Sequence, residues 1–353
     1  MTERLEKSTP TSSTVVFLGA GASSFCGIPT AGQLKSRILQ KGGKDIQAIK
    51  RRFRTCSVPF NTETLLSFLE SSSSRRLQFA DIGPVVLGLV KGNLFNLRSV
   101  RKHRTLTRFV KHEIRNQCYV QKPSAVAFPR AELLRRYDFF LTQLMRNRRF
   151  RLSRQLPLNN ATYPSIEFFT TNYDDVVETF FDLKGIPTID GYADVVPPPG
   201  EGDEVTCRFN EREFDNPNAV RIYKLYGSIR YAKYKKRVWR IEPNLWSIAQ
   251  RLGDLLIYPG ATKIVWNEPQ LQLFYRLHQR LTVCKRCIVI GYSFRDKAVA
   301  DVFRNALALN PSLQVYVVSP DAHKIVKRVF HGNTSVKPIR KTFEKLDPAQ
   351  HLR

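Results

Sequence analysis

The sequence has no apolar run long enough to cross a membrane. A transmembrane helix needs about 20 apolar residues, and the longest candidate, residues 82–90 (IGPVVLGLV), contains a proline and reaches about half that length. The first 13 residues are polar and lack the apolar segment of a secretion signal. The sequence therefore predicts a soluble, cytoplasmic protein with a disordered leader at residues 1–13.

Cysteine is scarce, with 6 residues in 353 and no regular spacing. This usage is typical of a reducing compartment, so we expect free thiols. The chain has one Cys-x-x-Cys pair, Cys284 and Cys287, and lacks a second pair that could complete a four-ligand zinc site. We therefore expect no metal.

Acidic residues are also few, at 30 Asp and Glu against 57 Lys and Arg, which gives a formal net charge of +27. A hydrophobic content of 42% still allows a sizeable core and excludes a wholly disordered or collagen-like chain. The charge predicts contact with nucleic acid or with an acidic protein surface, without saying which.

Two basic clusters are the predicted nucleic-acid contacts. The first is the stretch of residues 98–154, with 16 Lys or Arg against three acids; it is densest at residues 146–151, where Arg148, Arg149 and Arg151 are the predicted contacts. The second contains Lys233, Lys235, Lys236, Arg237 and Arg240. In the second cluster Tyr231, Tyr234 and Trp239 alternate with the cations. This alternation suits neutralisation of phosphates with stacking of bases, and it describes a solvated β-hairpin equally well.

The order of strand and helix patterns predicts an α/β fold, a Rossmann-like parallel sheet flanked by helices with an inserted helical module. Residues 14–44 and 159–345 form the predicted sheet domain, because apolar strands there alternate with amphipathic helices. Residues 45–158 read as the insertion, since their segments are basic and helical with no clear strand. Residues 195–218, rich in Pro, Gly and acids, are predicted to be irregular.

A glycine-rich segment, Gly19–Pro29 (GAGASSFCGIP), follows the first strand and precedes the first helix. Backbone N–H groups and a helix N-terminus at such a place can cradle a pyrophosphate. The segment departs from the Rossmann fingerprint at Ser24, and no Gly-Lys-Ser/Thr follows, which excludes a Walker A site. A purely structural turn remains the alternative.

Polar residues follow three later strands. Asn172 and Asp174 lie in Thr170–Asp174 (TTNYD), while Gly291–Asp296 and Ser319–Asp321 follow the next predicted strands. Because the carboxyl ends of parallel strands share one edge, these residues are expected to line a dinucleotide site there. Helix capping by the Asn or Asp residues is the competing interpretation.

These motifs together resemble sirtuin-like NAD-consuming enzymes, specifically the branch found in prokaryotic antiviral defence. The resemblance rests on GAGAS and GIP between Gly19 and Pro29, TTNYD, KLYGS at Lys224–Ser228, and IGYSFRD at Ile290–Asp296. It implies cleavage of the bond between nicotinamide and ribose, and oligomers with an ATPase or Argonaute-like partner. The residues it assigns to NAD are Gly19, Ala20, Gly21, Ala22, Ser23, Gly27, Ile28, Pro29, Thr171, Gly291, Ser293 and Ser319.

The resemblance also implies roles. Gly19–Ser23 would hold the phosphates and Gly27–Pro29 would cover the cofactor. Asn172 would act on the nicotinamide ribose or the attacking water. Ser293 would lie near phosphate or ribose, with Ser319 on the adenosine side.

Two positions depart from the family pattern. Thr30 and Ala31 follow GIP where protein deacylases have an aromatic residue and an arginine, which argues against deacylation. Tyr226 stands at the family's catalytic histidine. A phenol is ionised only about one part in a thousand at pH 7, so it is a poor base unless Lys224, Arg221 or Arg230 points into the pocket and lowers its pKa. Asp174 is the other candidate base, and slow hydrolysis without a strong base also remains open.

Three hypotheses follow. The first is an NAD hydrolase that yields nicotinamide and ADP-ribose as the effector of an antiviral defence complex, with Asn172, Tyr226 and Asp174 as the catalytic candidates. The second is an inactive or weak NAD- or ADP-ribose-binding subunit that serves assembly and nucleic-acid binding. The third is a basic DNA-associated subunit whose pocket is vestigial.

Overall fold

The computed structural model describes ten stretches of the chain, which are residues 14–57, 60–73, 97–120, 130–146, 153–158, 161–195, 206–234, 237–240, 253–254 and 269–352. In chain order, the strands there are β1 (Thr14–Leu18), β2 (Ser153–Leu158), β3 (Ala161–Ser165), β4 (Glu167–Thr170), β5 (Thr188–Ile189), β6 (Tyr192–Val195), β7 (Thr206–Phe209), β8 (Val220–Lys224), β9 (Tyr231–Tyr234), β10 (Arg237–Arg240), β11 (Gly253–Asp254), β12 (Arg286–Ile290), β13 (Gln314–Val318) and β14 (Val336–Ile339). The α-helices are α1 (Ala31–Lys41), α2 (Gly43–Thr55), α3 (Thr62–Ser73), α4 (Leu97–Cys118), α5 (Arg130–Arg146), α6 (Val176–Leu183), α7 (Gln270–Val283), α8 (Lys297–Leu309), α9 (Ala322–Phe330) and α10 (Pro348–His351).

Seven strands form a parallel sheet in the order β14-β13-β12-β1-β4-β8-β5. Its inner strands are runs of Val, Ile and Phe that are buried on both faces, as parallel sheets require. The chain leaves β1 toward β4 on one side and later returns to pair β12 with the other side. The strand order therefore reverses between β1 and β12, where open α/β sheets bind ligands.

Helices cover both faces of this sheet. One hydrophobic core joins the sheet to α7, α8 and α9, and the other joins it to α5, α6 and α10. On α6 the predicted buried face is present, with Val176, Val177, Phe180 and Phe181 all 4% exposed or less. The predicted Rossmann-like fold class is confirmed.

A separate cluster of helices packs beside the sheet. Its core joins α1, α2, α3 and α4 through residues such as Ile38, Phe53, Leu69 and Val110. The expected insertion of residues 45–158 differs from the structure at its C-terminal end. There α5 packs on the sheet, and the β2–β3 hairpin crosses the expected boundary.

A second sheet, antiparallel, has the order β11-β9-β10-β7-β6. Its strand β7 lies within residues 195–218, so the prediction that this whole stretch is irregular is wrong. Strands β9 and β10 form the hairpin that the alternation of tyrosine and cations also described. Across the described residues, no helix has the length and apolar content to span a membrane.

Candidate functional site

Four strand ends meet at one edge of the parallel sheet. The N–H of Gly19 donates to Ile290 O (2.9 Å), and that of Gly291 donates to Val318 O (2.9 Å). The N–H of Thr171 donates to Leu18 O at 3.4 Å. The loops after β1, β4, β12 and β13 are therefore in contact, as the sequence predicts.

The glycines of these loops are needed for close approach of backbone to backbone. A Cβ at Gly19 would lie 2.6 Å from Tyr292 Cα, and one at Gly291 would lie 2.4 Å from Ala22 N. Gly291 also has a positive φ of 66°. The N–H of Gly21 donates to Gly291 O at 3.0 Å. The N–H groups of Ala22 and Ser23 donate to Gly19 O (2.8 Å) and Ala20 O (3.3 Å), so four of the five backbone N–H groups of Gly19–Ser23 are already bonded within the protein.

Asn172, Ser23 and Asp174 form a buried hydrogen-bonded chain at this edge. Asn172 Nδ2 donates to Gly19 O (3.0 Å) and to Ser23 Oγ (3.2 Å), and Ser23 Oγ donates to Asp174 Oδ1 (3.1 Å). A carbonyl oxygen can only accept, so the bond to Gly19 fixes which end of the amide is nitrogen. This orientation leaves the Asn172 Oδ1 atom to accept from a ligand hydroxyl or a water.

The Asp174 carboxyl has an unusual acidity. Burial is the largest cause that raises its pKa to about 6, Glu178 also raises it, and Lys224 opposes the shift. Asp174 Oδ1 accepts from the N–H of Val176 as well, at 3.2 Å, so it binds the first turn of α6. Asp174 therefore bonds the first N–H of α6 from the position before the N-cap, while the N-cap residue Asp175 makes no side-chain cap.

A buried ion pair that the sequence did not reveal supports this network. Lys224 Nζ lies 3.1 Å from Glu178 Oε1, and the two side chains are 5% and 2% exposed. Lys224 Nζ also donates to the backbone oxygen of Asp174. A glutamate on the apolar face of α6 was the available signal, because charged side chains are rarely buried unpaired.

Tyr226 lies away from this network. Its side chain is 2% exposed, packs near Phe274, and its hydroxyl donates to Asp296 Oδ2. Burial and the Asp296 carboxylate raise the pKa of the phenol. The three cations expected to lower this pKa form ion pairs with other carboxylates: Lys224 with Glu178, Arg230 with Asp182 (2.6 Å) and Arg221 with Glu167 (3.9 Å). The idea that they activate the phenol is therefore wrong.

The remaining predicted cofactor residues have varied surroundings. Gly27 has a positive φ of 75° and ends a short 3-10 turn, while Ile28 is buried. Ser293 is exposed. Ser319 Oγ accepts from the N–H of Asp321 at 3.2 Å. Asp296 caps α8 through a bond from Ala298 N–H (3.1 Å), whereas Asp321 makes no side-chain cap on α9.

A small pocket opens on the other side of β8. Tyr231 Oη donates to Asp190 Oδ1 (3.0 Å), and the N–H of Tyr192 donates to the same oxygen (3.1 Å). Desolvation raises the pKa of Asp190, which its bonds to Tyr231 and Tyr192 oppose. The lining residues are Asp190, Tyr192, Lys224, Gly227, Ser228, Tyr231, Pro269, Gln270 and Leu273. Lys224 therefore borders both this pocket and the Asp174 network.

The predicted nucleic-acid contacts are only partly described. Arg148, Arg149, Arg151, Lys235 and Lys236 lie outside the described residues. Lys233 and Arg237 lie on strands β9 and β10, and Arg240 is exposed with Asp194 at 3.4 Å. Tyr231 is 3% exposed and stacks on Tyr192 at 4.4 Å, so it offers no face to a base.

All six cysteines are free thiols. Cys284 and Cys287 are both buried, and desolvation raises the pKa of Cys284 to about 12. Within the described ranges, no group of three or more His, Cys, Asp or Glu side chains is placed to hold a metal ion.

Comparison with known proteins gives one family match. Residues 166–339 match the family model described as a SIR2-like domain, which supports a sirtuin-like family for this segment. No curated protein matches the chain. A solved structure of Sir2 with a p53 peptide and NAD+ aligns over 94% of this chain and 89% of its own, at 12% identity and a TM-score of 0.41. A Sir2 homologue–NAD complex aligns over 94% and 85%, also at 12% identity and a TM-score of 0.41.

Proposed function

We propose that this chain, whose residues 166–339 match a SIR2-like domain, binds NAD at the edge formed by β1, β4, β12 and β13 and hydrolyses it to nicotinamide and ADP-ribose. The observation that carries the proposal is the chain Asn172–Ser23–Asp174, which joins the loops after β1 and β4. It lies beside the strand-order reversal, the expected place for a dinucleotide.

The residues present fit the ribose end of NAD. Asn172 Oδ1 is oriented to accept a hydrogen bond, because both bonds of Nδ2 are made within the protein. When bound, NAD supplies the glycosidic bond and the positively charged nicotinamide leaving group. Asn172 would orient the ribose or the attacking water, and the burial of the site would exclude other water.

Asp174 is the proposed proton acceptor. A carboxyl with a pKa of about 6 is mostly ionised at pH 7 and is a far better base there than a phenol. The carboxyl would receive the proton through Ser23, whose hydroxyl is bonded to both Asn172 and Asp174. Tyr226 would take no part in proton transfer, since its hydroxyl is committed to Asp296.

The same tyrosine favours a second candidate, a subunit that binds NAD or ADP-ribose without turnover. Its buried, raised-pKa phenol replaces the imidazole that the sequence resemblance leads one to expect. Binding without loss of NAD would support this candidate. The defence role, the oligomer and an ATPase or Argonaute-like partner belong to the same proposal and rest on the sequence resemblance alone.

The test is NAD consumption by the purified protein, with and without nucleic acid, for wild type, Asn172→Ala and Tyr226→His. We expect Asn172→Ala to lower turnover on the order of 100-fold or more, in a protein that still folds but is destabilised by about 1–3 kcal/mol, because the two buried hydrogen bonds of Asn172 Nδ2 are lost. Unchanged turnover in Asn172→Ala would remove this residue from the mechanism. An inert wild type and an active Tyr226→His would establish a binding module instead.

A further inference from the structure

Helices α2 and α4 carry an unusually dense positive charge. Helix α4 falls in the first predicted basic stretch, whereas α2 lies outside both predicted clusters. Together they contain 12 Lys or Arg residues and two acids, so 35 residues hold +10 of the chain's net +27. The exposed cations are Lys44, Lys50, Arg51, Arg52 and Arg54 on α2 and Arg101, Lys102, Arg104 and Arg108 on α4. We call this set the α2–α4 face.

The acids on these two helices do little to neutralise the face. Glu113 is buried and pairs with Lys41 at 2.9 Å. Asp45 pairs with Lys102 at 2.5 Å, which also places the start of α2 next to α4. Burial is the largest cause that lowers the pKa of His103, and Lys102 of α4 and Arg52 of α2 lower it further. Cations of both helices therefore act on His103. The ion pair and the shared effect on His103 bring the positive charge of α2 and α4 together at this point.

The buried residues of α2 show which side of the helix its cations occupy. Ile46, Ile49 and Phe53 of α2 are buried in the helical cluster. At about 100° per residue, Lys44 and Arg51 project opposite this buried side, with Arg54 beside them. Lys44 and Arg54 are ten positions apart, which is about 15 Å along the helix axis. One strand of duplex DNA spaces about four phosphates over that length.

The face has charge without stacking surfaces. The large apolar side chains that are exposed in the described residues are Phe139, Met145, Leu271, Tyr275, Val283 and Leu309, and these lie outside α1–α4. Binding of single strands commonly uses exposed aromatic rings on which bases stack. Phosphate contacts alone favour a duplex bound without reading its sequence.

We propose that the α2–α4 face binds the phosphate backbone of duplex nucleic acid, independently of base sequence. Charge complementarity carries this assignment, and neither the NAD site nor its activity is needed for it. The helical cluster would then be the nucleic-acid-binding part of the chain, in contact with the sheet domain through Ile229, which follows β8.

The test measures binding of a fluorescent 30-base-pair DNA duplex by anisotropy, without NAD, between 50 and 200 mM salt. The test variant is Lys44→Gln/Arg51→Gln/Arg54→Gln, and Arg101→Gln/Arg108→Gln is a second variant should the first fail to fold. Glutamine keeps the helix propensity. The matched control is Lys327→Gln/Lys337→Gln/Arg340→Gln, which removes the same charge from exposed residues at α9 and β14.

Each phosphate contact adds about 0.9 to the slope of log affinity against log salt, so losing three contacts lowers the slope by about 2.7. Between 50 and 200 mM salt, the test variant should therefore lose about 40-fold less affinity than wild type loses. The control should change the slope by less than one. Equal slopes in the test variant and the control, or no duplex binding by wild type at 50 mM salt, would overturn the proposal. Tighter binding of polyglutamate than of the duplex would overturn it in favour of an acidic protein partner.

Discussion

Asp174 should make the protein less stable as pH rises, and Asp174→Asn should remove that loss. The carboxyl has its pKa raised from 3.8 to about 6, so the folded state binds its proton more tightly than the unfolded state does. For a raised carboxyl, stability is highest below pH 3.8 and falls as pH rises toward the folded pKa. Asparagine has nearly the same shape and can accept the same bonds from Ser23 and Val176 N–H, without titrating.

The size of the effect follows from the shift. A displacement of about 2.2 pH units at about 1.36 kcal/mol per unit gives about 3 kcal/mol in full. Because much of the transition lies below pH 5, about 1.4 kcal/mol of it falls between pH 5 and pH 8. The free energy of unfolding of Asp174→Asn, minus that of wild type, should therefore rise by about this amount over that range.

Urea unfolding of both proteins at five pH values from 5 to 8 measures this difference. The variant serves as the reference, so titrations common to both proteins cancel in the difference. A difference that stays flat, or that falls with pH, would refute the raised pKa of Asp174 and with it the proposed proton acceptor. The lost NAD turnover expected of this variant is a separate readout.

Two further predictions concern packing at the same edge. Tyr226→Phe should lower the free energy of unfolding in urea by about 1–2 kcal/mol, because it removes one hydrogen bond to a carboxylate. NAD turnover should stay unchanged. A large loss of turnover with little loss of stability would instead show that the hydroxyl is catalytic. Gly291→Ala should cost more than 2 kcal/mol, or about 3 °C or more in melting temperature, since the new Cβ meets Ala22 N at 2.4 Å and φ is 66°. Its control is Gly32→Ala in α1, where nothing lies within 4 Å of the added Cβ, which should stabilise the protein by about 0.5–1 kcal/mol. Equal effects of the two alanines would contradict the packing of the glycine loops.

The sequence determined the sheet and the edge at which the candidate site residues meet. Runs such as Thr14–Leu18 and Gln314–Val318 are continuous and apolar, a pattern that only a strand buried on both faces explains. Since parallel strands end at one edge, the polar residues after these runs had to meet there. The excess of cations is likewise a property of composition, and no folding can remove it.

Only the tertiary structure decided which partner each polar group takes. Tyr226 and Asp296 are 70 residues apart, and Lys224 and Glu178 belong to different elements, so neither pair has a local signal. The acidity of Asp174 depends on its burial and on four other charged or polar groups, which no spacing predicts. The same holds for α5, whose apolar stripe fits a helical cluster or a sheet equally well. An apolar helix face must be buried, but the hydrophobic effect is not directional, so the sequence pattern does not say which element covers that face. Only the packing of the folded chain determines the partner.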